Sequence, residues 1–259
     1  MKLVAWDTSG KTGSVAALED GRIVAEWTLN LDMAAHAERL LWSVDQILAS
    51  AGWTLDDVTA LAVGMGPGSF TGLRIGITTA RTLAQVRKLP LVGVSSLAAL
   101  ARPAADSIAR LGTGARVIAA AQACRGEVYA LWGQAKAVAR CTSLPCPGVK
   151  EEVLEEETLK TTLRGFKLGK GVPWTVVGPA AATHPEIWAV LPKASRVVPT
   201  DPLAHGVQGR YVALLAWERW EKGGEFSLEN ATPRYLRAPD AEKKLKAGLL
   251  PVRPVRVLG

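Results

Sequence analysis

The sequence is poor in the side chains from which metal sites and disulfide frameworks are built. Its 259 residues include three cysteines and three histidines. The cysteine count is odd and contains no CxxC pair, which argues against a disulfide framework or a zinc site. No Ser-His-Asp or Cys-His constellation can be argued from so few residues. We therefore expect no metal, no cofactor, and free cysteines in the core or in loops (Cys124, Cys141 and Cys146).

Long apolar runs are also missing. No run approaches the roughly 20 residues that a membrane-spanning helix needs. The opening residues, MKLVAWDTSG, contain no apolar signal region of the required length. With 48% hydrophobic residues, the chain can still form a substantial core in one large domain or two small ones. We expect a cytoplasmic protein that does not bind a membrane.

The net charge of +7 is unevenly distributed along the chain. Residues 1–105 contain nine basic and nine acidic side chains, so the excess lies downstream. Residues 232–259 hold seven basic and two acidic side chains. Such a tail can contact a phosphate backbone, and it can equally be a solvated chain end. The acidic stretch EEVLEEE at residues 151–157 is interpreted as an insertion or a solvated helix rather than as a site.

The first part of the sequence predicts a strand meander followed by alternating helices and strands. Apolar patterns predict strands at residues 2–6, 13–18 and 23–29, and Asp20-Gly21 is a strong hairpin signal. Further along, we expect a helix at 36–51 ended by Gly52, a strand at 58–63, a helix at 73–88, a strand at 91–94 and a helix from Ser95. This order is typical of an α/β lobe with a mixed sheet.

The second part repeats the pattern in a degenerate form. A polar, loop-like stretch at residues 102–114 is expected to separate two lobes. Strands are predicted at 116–121, 127–133 and 174–177, and a helix at 207–222. Residues 145–171 look charged and irregular. Two lobes of this kind resemble the actin-like/Hsp70-like ATPase superfamily.

The most distinctive stretch is GMGPGSFTGLRIGITTARTLAQ at residues 64–85. It lacks the Gly-Lys pair of a P-loop, and Gly72 comes one residue too late for the GxGxxG dinucleotide fingerprint. What remains is a tight turn from strand to helix, in which Ser69 or Thr71 caps the helix. The residues of this turn are Gly66, Pro67, Gly68, Ser69, Thr71 and Gly72.

Asp7-Thr8-Ser9 follows the first strand. An aspartate at this point in the actin-like superfamily belongs to the first phosphate loop, so Asp7, Thr8 and Ser9 are a candidate residual phosphate loop. The alternative is a turn in which Asp7 and Thr8 hydrogen-bond to the backbone.

The two helices of the first lobe carry a predicted contact surface for a partner protein. Small residues recur every four positions in the second helix, which indicates burial on two sides, either by its own lobe or by a partner. In the first helix a stripe seven residues apart contains a tryptophan, a residue that often anchors interfaces. The predicted surface comprises Ala35, Trp42, Ala49, Leu73, Gly76, Ile77, Ala80 and Ala84.

Several stretches together resemble the TsaB (YeaZ) family of bacterial tRNA threonylcarbamoyladenosine biosynthesis. The 64–85 stretch closely matches the signature of that family. The resemblance continues in KLVAWDTSG, HAERLLWSVDQIL, PLVGVSSLAAL, RGEVYA and TPRYLR. It covers the first lobe densely and the second lobe thinly.

The resemblance implies a two-lobed actin-like fold with ribonuclease H-like lobes and no catalysis of its own. It implies a partner that binds and activates a TsaD-like transferase through the first-lobe helices, and a TsaE-like ATPase that joins the assembly. It further implies a homodimer when the chain is alone and tRNA contact only within the complex. Leu40 stands where an HxxxH metal pair starting at His36 would need its second histidine.

A nucleotide-binding protein or ATPase that uses Asp7 is the alternative function. We divide the chain into an N-terminal lobe with the partner-binding helices (residues 1–105), a C-terminal lobe (106–231) and a basic tail (232–259).

Overall fold

The computed structural model describes residues 1–30, 35–110, 114–123, 126–166, 172–229 and 231–236, without the side chains of residues 35–38 and 194. The described residues form two five-stranded sheets and eight α-helices. The side chains of Ala35 and His36, residue Cys124 and nearly all of the basic tail, all named in the sequence predictions, lie outside the described part of the chain.

The first sheet is built as the sequence predicts. Its elements are β1 (Lys2–Asp7), β2 (Thr12–Glu19), β3 (Arg22–Asn30), α1 (Ala35–Ala51), β4 (Ala60–Gly64), α2 (Phe70–Arg87), β5 (Leu91–Val94) and α3 (Ser96–Ile108). The strands run in the order β3-β2-β1-β4-β5. The first three are antiparallel, and β4 and β5 continue parallel to β1. Asp20 and Gly21 both adopt positive φ, which confirms the predicted hairpin.

The second sheet repeats this arrangement. Its elements are β6 (Arg116–Gln122), β7 (Glu127–Gln134), α4 (Ala135–Arg140), β8 (Val149–Glu155), α5 (Glu156–Gly165), β9 (Trp174–Val177), α6 (Pro179–Thr183), α7 (Pro185–Trp188), β10 (Arg196–Val197) and α8 (Gly209–Glu221). The order β10-β9-β6-β7-β8 corresponds strand for strand to that of the first sheet. The second half is degenerate because some of its elements are short. β10 has only two residues, and the short helices α6 and α7 take the place that α2 has in the first half. The predicted α/β fold class is confirmed.

The two sheets share one core. Each of the two helices between them packs on the sheet of the other half of the chain. α8 packs on β1 and β2 of the first sheet, whereas α3 packs on β6 of the second. The alternation along β1 fits both of its faces, because Leu3 and Ala5 belong to the shared core while Val4 and Trp6 face α1 and α2 on the outside. The inner layer therefore joins the two halves of the chain.

The structure corrects the prediction of a loop at residues 102–114. α3 continues through this stretch to Ile108, with Pro103 inside the helix. The Arg102 guanidinium pairs with Glu218 of α8 at 2.5 Å and, one turn further along its own helix, with Asp106 at 2.8 Å. A polar composition indicated a loop, whereas the ion pair with α8 holds the stretch as a packed helix.

The acidic stretch EEVLEEE is neither an insertion nor a solvated helix, and that interpretation was wrong. Residues 151–155 lie in β8, which pairs with β7 over its whole length. Only the last two glutamates begin α5. Every second residue of an edge strand faces away from the core, so alternation with apolar residues is compatible with a strand even at high charge.

The cysteine prediction is confirmed within the described residues. Cys141 is buried and Cys146 is half-buried, and both are free thiols. Burial and the neighbouring Cys146 thiol raise the pKa of Cys141 to about 12, so this thiol is inert at neutral pH.

Candidate functional site

The Asp7 loop is hydrogen-bonded within the chain. Asp7 ends β1 and is 0% exposed. Its Oδ1 accepts hydrogen bonds from the Ser9 backbone N–H (2.8 Å) and the Ser9 hydroxyl (2.6 Å). Its Oδ2 accepts a hydrogen bond from the Ser96 hydroxyl at the start of α3 (2.5 Å). The Thr8 hydroxyl donates to the Gly72 carbonyl in α2 (2.7 Å). These contacts join the first turn to two helices.

The glycines of the 64–85 stretch leave room for this turn. A Cβ on Gly64 would lie 1.8 Å from Asp7 Oδ2, and one on Gly68 would lie 2.4 Å from the Ser9 carbonyl oxygen. A Cβ on Gly76 would lie 2.3 Å from the Thr8 hydroxyl. At such distances any other residue would force the neighbouring side chain or backbone to move. The glycines therefore accommodate the chain's own Asp7-Thr8-Ser9 segment.

The turn before α2 has the predicted geometry. Gly66 adopts a positive φ, and Pro67 is buried behind it. The Ser69 hydroxyl accepts a hydrogen bond from the Gly72 N–H, so Ser69 is the helix cap, whereas Thr71 is exposed. The Ser69 backbone N–H in turn donates to the Ser9 carbonyl (2.7 Å), which fastens the turn to the Asp7 loop.

The small-residue face of α2 is covered by the chain itself. Leu73, Ile77, Ala80 and Ala84 are buried against the outer face of the first sheet. Gly76 approaches β1 closely enough for its carbonyl to accept a hydrogen bond from the Trp6 indole (3.0 Å). The small residues therefore let α2 pack closely on its own sheet, mainly on β4. Their burial contradicts the prediction that a partner contacts Leu73, Gly76, Ile77, Ala80 and Ala84.

Outside this buried face, α1 and α2 expose apolar side chains, which we call the outer helix surface. It comprises Leu41, Trp42 and Ala49 on α1 with Phe70 and Val86 on α2. The two helices pack against each other on the same side of the first sheet. Trp42 is 40% exposed and its ring meets that of Trp27 edge-on at 5.4 Å, so its position is defined while one side stays open.

The charge of α2 is of one sign. Between Phe70 and Arg87 the helix contains three arginines and no acidic residue. The Arg74 guanidinium lies 3.9 Å from the centre of the Phe70 ring, within the range of a cation–π contact. Arg87 forms an ion pair with Asp56. The outer helix surface is thus bordered by positive charge on α2, whereas α1 contributes the exposed Asp45.

The sequence reasoning missed a strap at residues 231–236 that ties the two sheets together. The Arg234 N–H donates to the Met65 carbonyl beside the first sheet (2.8 Å). Its guanidinium pairs with Glu151 of β8 in the second sheet at 2.8 Å, and the Glu151 side chain is 3% exposed. Glu151 also accepts a hydrogen bond from the Ser95 hydroxyl (2.5 Å). The TPRYLR stretch was the available signal, although it does not reveal the partner of Arg234.

Burial raises the pKa of the Glu151 carboxyl, and the Ser95 hydrogen bond and the Arg234 charge partly oppose this effect. The carboxyl thus remains costly to ionise even beside its guanidinium partner.

Within the described residues, no helix combines the length and the apolar character that crossing a membrane demands.

Comparison with known proteins agrees with this architecture. The family model of TsaD, tRNA N6-adenosine threonylcarbamoyltransferase, matches residues 30–244. The tRNA threonylcarbamoyladenosine biosynthesis protein TsaB of Escherichia coli is 35% identical over 246 residues, which is 95% of this chain and 98% of that protein. Its Haemophilus influenzae namesake is 41% identical over 130 residues, or 50% of this chain and 52% of that protein. The solved structure of YeaZ from Pseudomonas aeruginosa matches with a TM-score of 0.69 at 29% identity, covering 90% of this chain and 99% of that one. Because the likeness to the Escherichia coli protein extends over nearly the full length of both, this chain belongs to the TsaB (YeaZ) family.

Proposed function

We propose that this chain is a non-catalytic subunit of the machinery that forms threonylcarbamoyladenosine in tRNA. In this role it binds and activates a TsaD-like transferase through the outer helix surface. The names of three relatives support the pathway, since the matching proteins of Escherichia coli, Haemophilus influenzae and Bacillus subtilis are all named as tRNA threonylcarbamoyladenosine biosynthesis proteins.

The observation that carries the proposal is the concentration of exposed apolar side chains on α1 and α2. Eight large hydrophobic side chains are exposed among the described residues, and four of them lie on these two helices: Leu41, Trp42, Phe70 and Val86. Large apolar side chains exposed beside charged ones on neighbouring helices are typical of a protein–protein interface. The positive border on α2 favours a partner whose facing surface is acidic.

A non-catalytic role is supported by the Asp7 loop. Asp7, Thr8 and Ser9 are buried, and their hydroxyl and carboxylate groups hydrogen-bond to α2, to α3 and to each other. A phosphate group would have to displace these contacts and move the Ser69 turn. The proposal therefore assigns the loop to fixing α2 rather than to holding a nucleotide.

The wider assembly follows from the same proposal. A TsaE-like ATPase joins the pair, and tRNA meets this chain only within the complex in the cytoplasm. When the transferase is absent, two copies of the chain pair through the outer helix surface, because the same apolar side chains are then left uncovered.

The test uses two tryptophans of nearly equal exposure. Trp42 is 40% exposed on α1 and meets Trp27, whereas Trp220 is 43% exposed on α8 and meets Phe226. We expect Trp42→Glu to weaken binding to the TsaD-like transferase of the same organism at least about thirtyfold, as for a hot-spot tryptophan, and to lower transfer activity in parallel. Isothermal titration calorimetry with the purified proteins measures the affinity.

Trp220→Glu is the matched control and should bind like the unmodified chain. Circular dichroism establishes that both variants are folded. Equal weakening by the two substitutions, or none by either, would overturn the assignment of the surface.

A further inference from the structure

Three side chains with metal-ligating groups come together on the second lobe, away from the outer helix surface. Glu156 begins α5, His184 stands between α6 and α7, and Glu186 lies in the first turn of α7. One ligand atom from each lies within 4.8 Å of the others. His184 Nδ1 is 3.2 Å from a Glu186 oxygen and 3.7 Å from a Glu156 oxygen.

These separations fit a shared cation. Zinc binds imidazole nitrogen and carboxylate oxygen at about 2.1 Å, so neighbouring ligand atoms lie about 3.0 Å apart at a right angle and about 3.4 Å apart at the tetrahedral angle. The His184–Glu186 distance falls inside that range. The His184–Glu156 distance exceeds it by an amount that a small rotation of a partly exposed glutamate side chain can remove.

The backbone that carries the three residues is fixed by buried neighbours. Leu159, Ile187 and Trp188 are buried next to them in sequence. The Trp188 indole donates to the Ala180 carbonyl (3.0 Å), and the His184 N–H donates to the same carbonyl (3.1 Å). α5 and α7 also contact each other directly. A cation would therefore meet ligands whose main chain is already in place.

The electrostatics of the cluster also favour a divalent cation. Two carboxylates approach one nitrogen of one imidazole, and a single proton on that nitrogen cannot be directed at both. A divalent ion would take both oxygens and the nitrogen, and two carboxylates would balance its charge. The opposing group is Lys160, whose ammonium pairs with Glu157 at 2.6 Å and interacts electrostatically with Glu156 and Glu186.

We propose that Glu156, His184 and Glu186 form a binding site for a divalent transition-metal cation of the Zn²⁺ class, completed by water. One nitrogen and two carboxylate oxygens are ligands that zinc accepts, and three protein ligands leave a fourth position for solvent. The cation links α5 to α7 across the outer face of the second lobe. The site is independent of the proposed partner surface.

The experiment titrates Zn²⁺ into the full-length chain after removal of its affinity tag and treatment with a chelator, and follows the heat of binding. We expect one saturable equivalent and a rise in melting temperature with Zn²⁺. Co²⁺ in place of Zn²⁺ should give weak visible absorption typical of nitrogen and oxygen ligands, without a thiolate charge-transfer band. Such a band would place the metal on cysteine and overturn the assignment.

Matched variants locate the ion. Glu156→Gln and His184→Ala should each weaken binding by more than about tenfold. Glu157→Gln, the same change one residue further on, should leave a saturable site in place. Lys160→Met removes the opposing charge and should tighten binding. Zn²⁺ affinity that is absent, or unchanged in Glu156→Gln and His184→Ala, overturns the proposal.

Discussion

The two halves of the molecule have sheets of the same strand order but outer helices of different length. The first sheet is covered by α1 and α2, with 17 and 18 residues, and the second by α5, α6 and α7, with 10, 5 and 4 residues. The inner face of each sheet must fit a helix from the other half, so its topology is constrained. The outer faces are free of that constraint. One has become the outer helix surface and the other carries the Glu156–His184–Glu186 cluster.

The two halves should differ most in the stability that they lose when a glycine is replaced by alanine. In Gly64→Ala the new Cβ would fall 1.8 Å from Asp7 Oδ2, so β4, β1 or the Asp7 carboxylate must move. We expect a loss of about 3 kcal/mol in the free energy of unfolding, measured by urea denaturation.

Gly165→Ala at the end of α5 provides the comparison in the second half. Beyond the backbone of its own helix, no described residue lies within 4 Å of the place that the new methyl group would take, so stability should change by less than about 0.5 kcal/mol. Similar losses in both variants would mean that the fit around Asp7 is not what limits the first half.

An intermediate effect is expected where the halves are joined. Arg102 of α3 holds Glu218 of α8 through two hydrogen bonds, at 2.9 and 2.5 Å, and its side chain is largely buried. Arg102→Ala leaves Glu218 without this partner and should cost about 2 kcal/mol. Denaturant unfolding followed by tryptophan fluorescence measures the loss.

Arg102→Lys separates charge from geometry. Lysine keeps the charge but cannot form the forked pair, so its loss should lie between zero and that of alanine. If Arg102→Lys loses as much unfolding free energy as Arg102→Ala, the paired hydrogen bonds of the guanidinium and not its charge stabilise the contact. If neither variant loses stability, this ion pair does not hold the helices together.

The smallest effect concerns the strap that spans both sheets. Because burial raises the pKa of Glu151 above its ordinary value of 4.5, the folded chain retains a proton that the unfolded chain has released. Stability therefore falls as pH rises from about 4.5 through the folded pKa, relative to a variant that cannot ionise. Glu151→Gln should accordingly gain stability relative to the unmodified chain over this interval, in paired urea titrations at several pH values. A difference that is constant with pH would contradict the raised pKa.

The features of this fold that the sequence predicts are those set by residues close together in the chain. The meander, the Asp20-Gly21 hairpin and the Ser69 cap follow from adjacent residues, and they are confirmed. The buried face of α2 could not be assigned, since periodicity identifies two apolar faces without saying which meets the sheet. Residues that act across long separations, such as Glu151 with Arg234, carry no local pattern at all.

The candidate sites illustrate the same limit. Trp42 was recognisable from its heptad spacing on one helix, and the structure leaves it exposed. The Glu156–His184–Glu186 cluster joins residues 28 positions apart through the packing of α5 on α7, and from sequence we expected no metal ligands there. A composition with only three histidines argued against a metal site.

The packing of α8 on the first sheet has a consequence for synthesis of the chain. While the ribosome is still adding the second half, Leu3, Ala5 and Leu18 lack their covering helix, because α8 (Gly209–Glu221) is made long after the first sheet. Until α8 is made, one apolar face of the nascent first sheet is exposed to water, and in that state aggregation competes with folding. Production of the protein should thus be sensitive to chaperone supply and to premature termination, more than its final stability would indicate.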